Sequence, residues 1–119
     1  MKKIPVGIVA VAFVALMIAN VYACECRPHG FTPGFWKHNI EVRLGLTNGA
    51  YNAFEGGPLD GVKLTDAMMD SFLADIHAHP GGPQFDFAQA LENLQLPGWS
   101  EDRTDTANWF NWAAGYGPF

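Results

Sequence analysis

Proline and glycine cut residues 24–119 into short pieces, which limits the chain to brief elements joined by turns. Asn48-Gly49, Gly56-Gly57-Pro58 and Asp60-Gly61 crowd residues 47–61, Pro80-Gly81-Gly82-Pro83 and Pro97-Gly98 follow, and Gly115 lies near the end. Each favours a turn, because glycine reaches positive φ without steric cost and proline removes a backbone donor. Twelve of the thirteen glycines and seven of the eight prolines fall after residue 23, so loops should take a large share of the fold.

Between these breaks the apolar spacing is helical. Leu64, Met68, Phe72 and Ile76 recur every fourth residue, and Met69 and Leu73 widen the stripe. Thr65 is placed to cap that helix, and Asp66 sits in its first turn, where the helix dipole favours negative charge. A second helix is expected after Asp86, which pairs with Gln89 as a capping box and leaves Phe87, Leu91 and Leu94 facing inward. A third, capped by Thr104 or Asp105, carries Ala107, Phe110 and Ala114 on one side, with Trp109 and Trp112 sharing another. Residues 34–46 hold a weaker helical segment around Phe35, Trp36, Ile40, Val42 and Leu44, and residues 47–61 read as a loop. Nothing alternates with period two, so the expected fold is mainly α, a small loop-rich helical domain.

The first 23 residues, MKKIPVGIVAVAFVALMIANVYA, combine a basic start, an apolar run and Val21-Tyr22-Ala23 before Cys24. They read as a signal peptide, because the run from Ile4 to Ala19 is shorter than the roughly 20 residues of a membrane-spanning helix. Residues 24–119 are then a single extracellular domain, secreted or attached to the cell surface, opening on a flexible leader that reaches His29. Loss of Lys2 and Lys3 leaves five of the seven basic side chains against twelve acidic ones, a formal charge of −7. Such an acidic body repels phosphate backbones, which argues against nucleic acid as a partner.

Val21-Tyr22-Ala23-Cys24 is close to a lipobox, which makes Cys24 a lipidation candidate and a membrane tether, with ordinary cleavage as the competing reading. Cys24, Cys26 and His29 also form C-x-C-x-x-H, with His38 nine residues further on, and thiolate plus imidazole suits zinc or copper. That ligand set defines a candidate metal site, although no cofactor is expected by default. His77 and His79 are spaced so as to point to different faces of a helix end, and read as solvated histidines favoured by the dipole. Asp66, Asp70 and Asp75 read as a solvated helix face, and neither Ser71 nor Ser100 sits in a nucleophile motif, so no enzyme is expected. The four tryptophans either build the core or line a contact surface; Trp99, Trp109 and Trp112 are the interaction candidates, suited to carbohydrate stacking or a protein interface.

The run Thr32-Pro33-Gly34-Phe35-Trp36-Lys37 resembles the TPGYWK motif near the N-terminus of many exported bacterial and archaeal surface proteins. In those proteins a cysteine often precedes the Thr-Pro-Gly, where this chain has Phe31. Leu64-Thr65-Asp66-Ala67-Met68-Met69 is similar to the TLLDAL-like helix that follows the motif, so the likeness covers about residues 30–83. It implies a secreted, non-catalytic surface module. In physical terms, Pro33 and Gly34 are expected to form a turn that tucks Phe35 and Trp36 under the helices and leaves Lys37 in solvent.

The leading expectation is therefore a non-enzymatic structural or interaction module at the cell surface, one that contacts other surface proteins or associates with itself. A pilin-like filament subunit, processed after Gly7 so that Ile8 to Val21 packs in a filament core, is one alternative. An extracytoplasmic zinc or copper carrier using Cys24, Cys26, His29 and His38 is the other.

Overall fold

The computed structural model describes residues 27–119, which form four helices and no strand: α1 Pro33–Arg43, α2 Asp66–Ala78, α3 Phe87–Leu94 and α4 Glu101–Ala113. The fold is mainly α, as expected. The signal segment 1–23, Cys24 and Cys26 lie outside the described residues. No helix among the described residues is long and apolar enough to cross a membrane.

The Thr-Pro-Gly run starts a helix instead of forming the expected turn. Thr32 is the N-cap, its Oγ1 accepts from Phe35 N at 3.3 Å, and Pro33 occupies the first helical turn, where its missing N–H costs nothing. Helix α1 stops at Arg43, short of the anticipated Leu46, and Gly45 leaves it with φ 72. Its buried residues, Pro33, Trp36, Asn39 and Ile40, fall on one face.

Helix α2 follows its expected cap closely: Thr65 Oγ1 accepts from Met68 N at 3.1 Å, and Met69, Phe72 and Ile76 are buried. In α3, Asp86 Oδ1 accepts from Gln89 N at 2.8 Å, but the reciprocal half of the capping box is replaced. Gln89 instead donates from Nε2 to Asn93 Oδ1 at 3.1 Å, within its own helix. Helix α4 begins at Glu101, ahead of the anticipated Thr104 or Asp105 cap. Glu101 and Asp102 fill its first turn, where the unpaired N–H groups and the dipole favour carboxylates.

Helix α4 packs on all three other helices, and α1 packs on α3 as well. The core is aromatic: Trp36 stacks on Phe110 with centroids 5.4 Å apart, and Phe54 stacks on Tyr116 at 5.5 Å. Full burial of one large apolar side chain stabilises by roughly 1.5–3 kcal/mol, so such a set can hold a domain of this size together. Residues 47–61 are irregular as expected, but Phe54 inside them is 1% exposed. An isolated bridge between Ala53 and Lys63 pins that loop.

From Arg27 onward the leader is fixed, not flexible. Gly30 N donates to Pro118 O at 3.2 Å and Gly117 N donates to Pro28 O at 2.8 Å, which ties the two ends of the described chain together. Arg27 Nη1 donates to Tyr116 O at 3.1 Å. Gly30 is required by close approach, since a Cβ there would lie 2.1 Å from Gly117 O and 2.4 Å from Asn111 Cγ.

Candidate recognition site

Asp105, Asn108, Trp109 and Trp112 are spaced i, i+3, i+4, i+7, and so share one outer face of α4. Phe110, between the two indoles in sequence, faces the other way and is fully buried. Helix α2 ends opposite this face. Its C-cap, His79, has ψ 133, which turns the chain away from the helix path. The imidazole lies 5.3 Å from the Trp109 ring at 67° and 4.8 Å from the Trp112 ring at 80°. The two indoles are 5.8 Å apart at 82°, so three rings stand nearly perpendicular to one another. With Asp105 and Asn108 they line an open hollow of about 340 Å³.

Two polar atoms of these lining residues are committed to the fold. His79 Nδ1 lies 2.7 Å from Pro80 O; a carbonyl only accepts, so Nδ1 donates. Asn108 Oδ1 accepts from Asn111 Nδ2 and from Phe119 N, both at 3.1 Å. Asp105, in contrast, has neither a hydrogen bond nor an ion pair from its side chain among the described residues. Trp99, in the turn before α4, stands 84% exposed.

The motif residues serve the fold. Thr32 caps α1, Phe35 stacks on Phe31 with centroids 4.3 Å apart, Trp36 is fully buried, and Lys37 pairs with Glu41 at 3.3 Å. What locks this unit is Asn111 of α4, itself fully buried. Its Oδ1 accepts from Phe31 N at 2.8 Å and Trp36 Nε1 at 2.9 Å, and its Nδ2 donates to Phe31 O at 3.0 Å. An asparagine in a helix ordinarily reads as surface, and no local signal marked it.

Of the candidate metal ligands, Cys24 and Cys26 lie outside the described residues and His29 is exposed. His38 Nε2 donates to Ala50 O at 2.7 Å, which anchors the start of the long loop. The two histidines of α2 are not simply solvated. His77 Nε2 donates to Phe85 O at 2.6 Å, while His79 forms one wall of the aromatic hollow. The sequence signal that could have revealed the hollow is the α4 spacing, which puts the two interaction candidates Trp109 and Trp112 beside Asp105.

A separate polar cluster links α1, α2 and the long loop. Arg43 Nε and Nη2 hold Asp70 at 2.8 and 3.2 Å, and the Tyr51 hydroxyl donates to Asp66. Burial first, and then the hydrogen bond to the Asp66 carboxylate, push the Tyr51 phenol well above its ordinary value. The folded state thus favours the neutral phenol. Its contribution is complete below the unfolded-chain value of about 10 and is lost as pH rises through the higher folded value. Stability measured by denaturant should therefore fall above about pH 10, and more shallowly in Tyr51→Phe. Parallel profiles for the two proteins would remove Tyr51 from the account. Tyr116, also raised by burial, supplies a residual slope in both.

The described residues thus define a small helical domain with an aromatic, one-carboxylate hollow on the outer face of α4. Compared with protein-family models, with curated proteins and with solved structures, the chain matches none.

Proposed function

We propose that this chain is a non-enzymatic interaction module, exported and then secreted or held at the cell surface, which binds other surface proteins or further copies of itself. The observation that carries this reading is the placement of its tryptophans. Trp36 alone is fully buried, whereas Trp99 is 84% exposed and Trp109 and Trp112 keep part of their surface on the outer face of α4. Leaving such rings in water forgoes about 25 cal/mol for each Å² of apolar area, and tryptophans are enriched where a contact recovers it. The signal-like residues 1–23, the acidic balance of the remainder and the likeness of Thr32 to Lys37 to the surface-protein motif support the same location.

Expression of the full chain, fractionation and mass determination test the export half: the mature protein should start at Cys24 and lie outside the cytoplasm. Sedimentation and pull-down with Trp99→Ala test the binding half. Association should weaken roughly tenfold while stability, at so exposed a site, moves by less than about 0.5 kcal/mol. An uncleaved cytoplasmic protein, or unchanged association in both Trp99→Ala and Trp109→Ala, would sink the reading.

A further inference from the structure

We propose that the corner formed by His79, Trp109 and Trp112, with the Asp105 carboxylate lining the same hollow, binds a trimethylammonium group, carried either by a free small molecule or by a lipid headgroup. This rests on the reading of the α4 face as a binding surface and names its ligand. The first argument is shape. Ring planes meeting at 67°, 80° and 82° make three walls of a box, which suit a compact, rounded cation better than a flat sugar ring. Flat ligands stack on one open face or on parallel faces. The hollow, about 340 Å³, lies at the small end of ligand sites.

The second argument is chemistry. Aromatic faces attract cations through the ring quadrupole, indoles most strongly, and quaternary ammonium is the species this kind of cage recognises. Asp105 is the only acidic or basic side chain among the lining residues apart from the imidazole, and no cation neutralises it among the described residues. Two arginines bear on this charge: Arg103, two residues before Asp105 in sequence, does not line the hollow, and the other is Arg27. It is held on the backbone side of Trp112, donating to Trp112 O at 3.3 Å and Tyr116 O at 3.1 Å, and it lines a neighbouring hollow instead. The third argument is what remains unoccupied. Asn108 Oδ1 and His79 Nδ1 already serve protein partners, whereas the Asp105 carboxylate, the group that would face a cation, has none among the described residues.

The test is a titration of the full chain with choline chloride at constant ionic strength, following the four indole N–H resonances by NMR. Choline should shift Trp109 and Trp112 and leave Trp36 and Trp99 in place, while 3,3-dimethylbutan-1-ol, its uncharged isostere, should not. Asp105→Asn should weaken choline roughly tenfold, and Trp109→Ala should abolish it, with circular dichroism confirming that both variants fold. Co-sedimentation with phosphatidylcholine vesicles, set against phosphatidylglycerol vesicles, separates a headgroup ligand from a free one. Equal shifts with the isostere, or no shift with choline, overturn the proposal. Shifts with a chito-oligosaccharide and none with choline also overturn it, but leave the interaction-module reading standing, which fails only on its own export and association tests.

Discussion

Asn111→Ala is expected to lower stability by about 3 kcal/mol, a large fraction of the 5–15 kcal/mol typical of a folded domain. The truncation removes the acceptor for Phe31 N and Trp36 Nε1 and the donor to Phe31 O. Trp36 is fully buried, so its indole N–H is left without a partner and without water, and each orphaned buried group costs about 1–3 kcal/mol. For a domain of this length the loss corresponds to a fall of about 12–24 °C in Tm. A double-mutant cycle with Trp36→Phe isolates the indole bond, and the coupling should be about 1–2 kcal/mol. A single-variant loss below about 1 kcal/mol would mean that Asn111 is not the joint between α1 and α4.

The second large effect is expected at Gly30. In Gly30→Ala the added carbon would meet the carbonyl oxygen of Gly117 at 2.1 Å and the Asn111 amide at 2.4 Å. One of these is backbone and the other is held by four hydrogen bonds, so neither can step aside cheaply. The segment from Pro28 to Phe31 must move off α4, putting at risk the bonds Gly30 N to Pro118 O and Gly117 N to Pro28 O. Overpacking of this kind costs about 1–3 kcal/mol, occasionally more, and here the lost bonds add to it. Thermal or urea unfolding reads the change, and a variant as stable as the parent would show that the two ends are not clamped. Because Asn111 is one of the two obstacles, Asn111→Ala combined with Gly30→Ala should cost less than the two separate losses together.

Much of α2 and α3 was legible from residues alone. Thr65 and Asp86 accept from the backbone N–H three positions on, and the stripe of Met69, Phe72 and Ile76 lies inside. Caps and periodicity depend on neighbours within one or two turns, so they are written locally. The Thr-Pro-Gly run was misread because proline suits both a turn and the first turn of a helix, and Thr32 Oγ1 decides between them by capping Phe35 N. The start of α4 was missed because Ser100 stands at the N-cap without a side-chain bond to the helix, and Glu101 and Asp102 fill the first turn.

The aromatic hollow was half legible. Trp109 and Trp112 could be placed on a shared face, and the buried Phe110 on another, from helical spacing alone. Asp105 belongs to the same stripe by the same arithmetic. His79 could not be placed there, because its position depends on how α2 meets α4 and on a C-cap with ψ 133 that leaves the helical path.

Residue order, read locally, was enough to establish a mainly helical domain with long loops, two of its caps and an acidic charge balance. Those properties depend on charge, composition and spacings of a few residues. Tertiary structure alone decided that Asn111 would seal the Phe31 to Trp36 unit across 80 and 75 positions of sequence, that Phe54 would leave its loop for the core, and that one histidine would complete the box around two tryptophans. Contacts of that range follow from how the helices pack together, and no short window of sequence contains both partners.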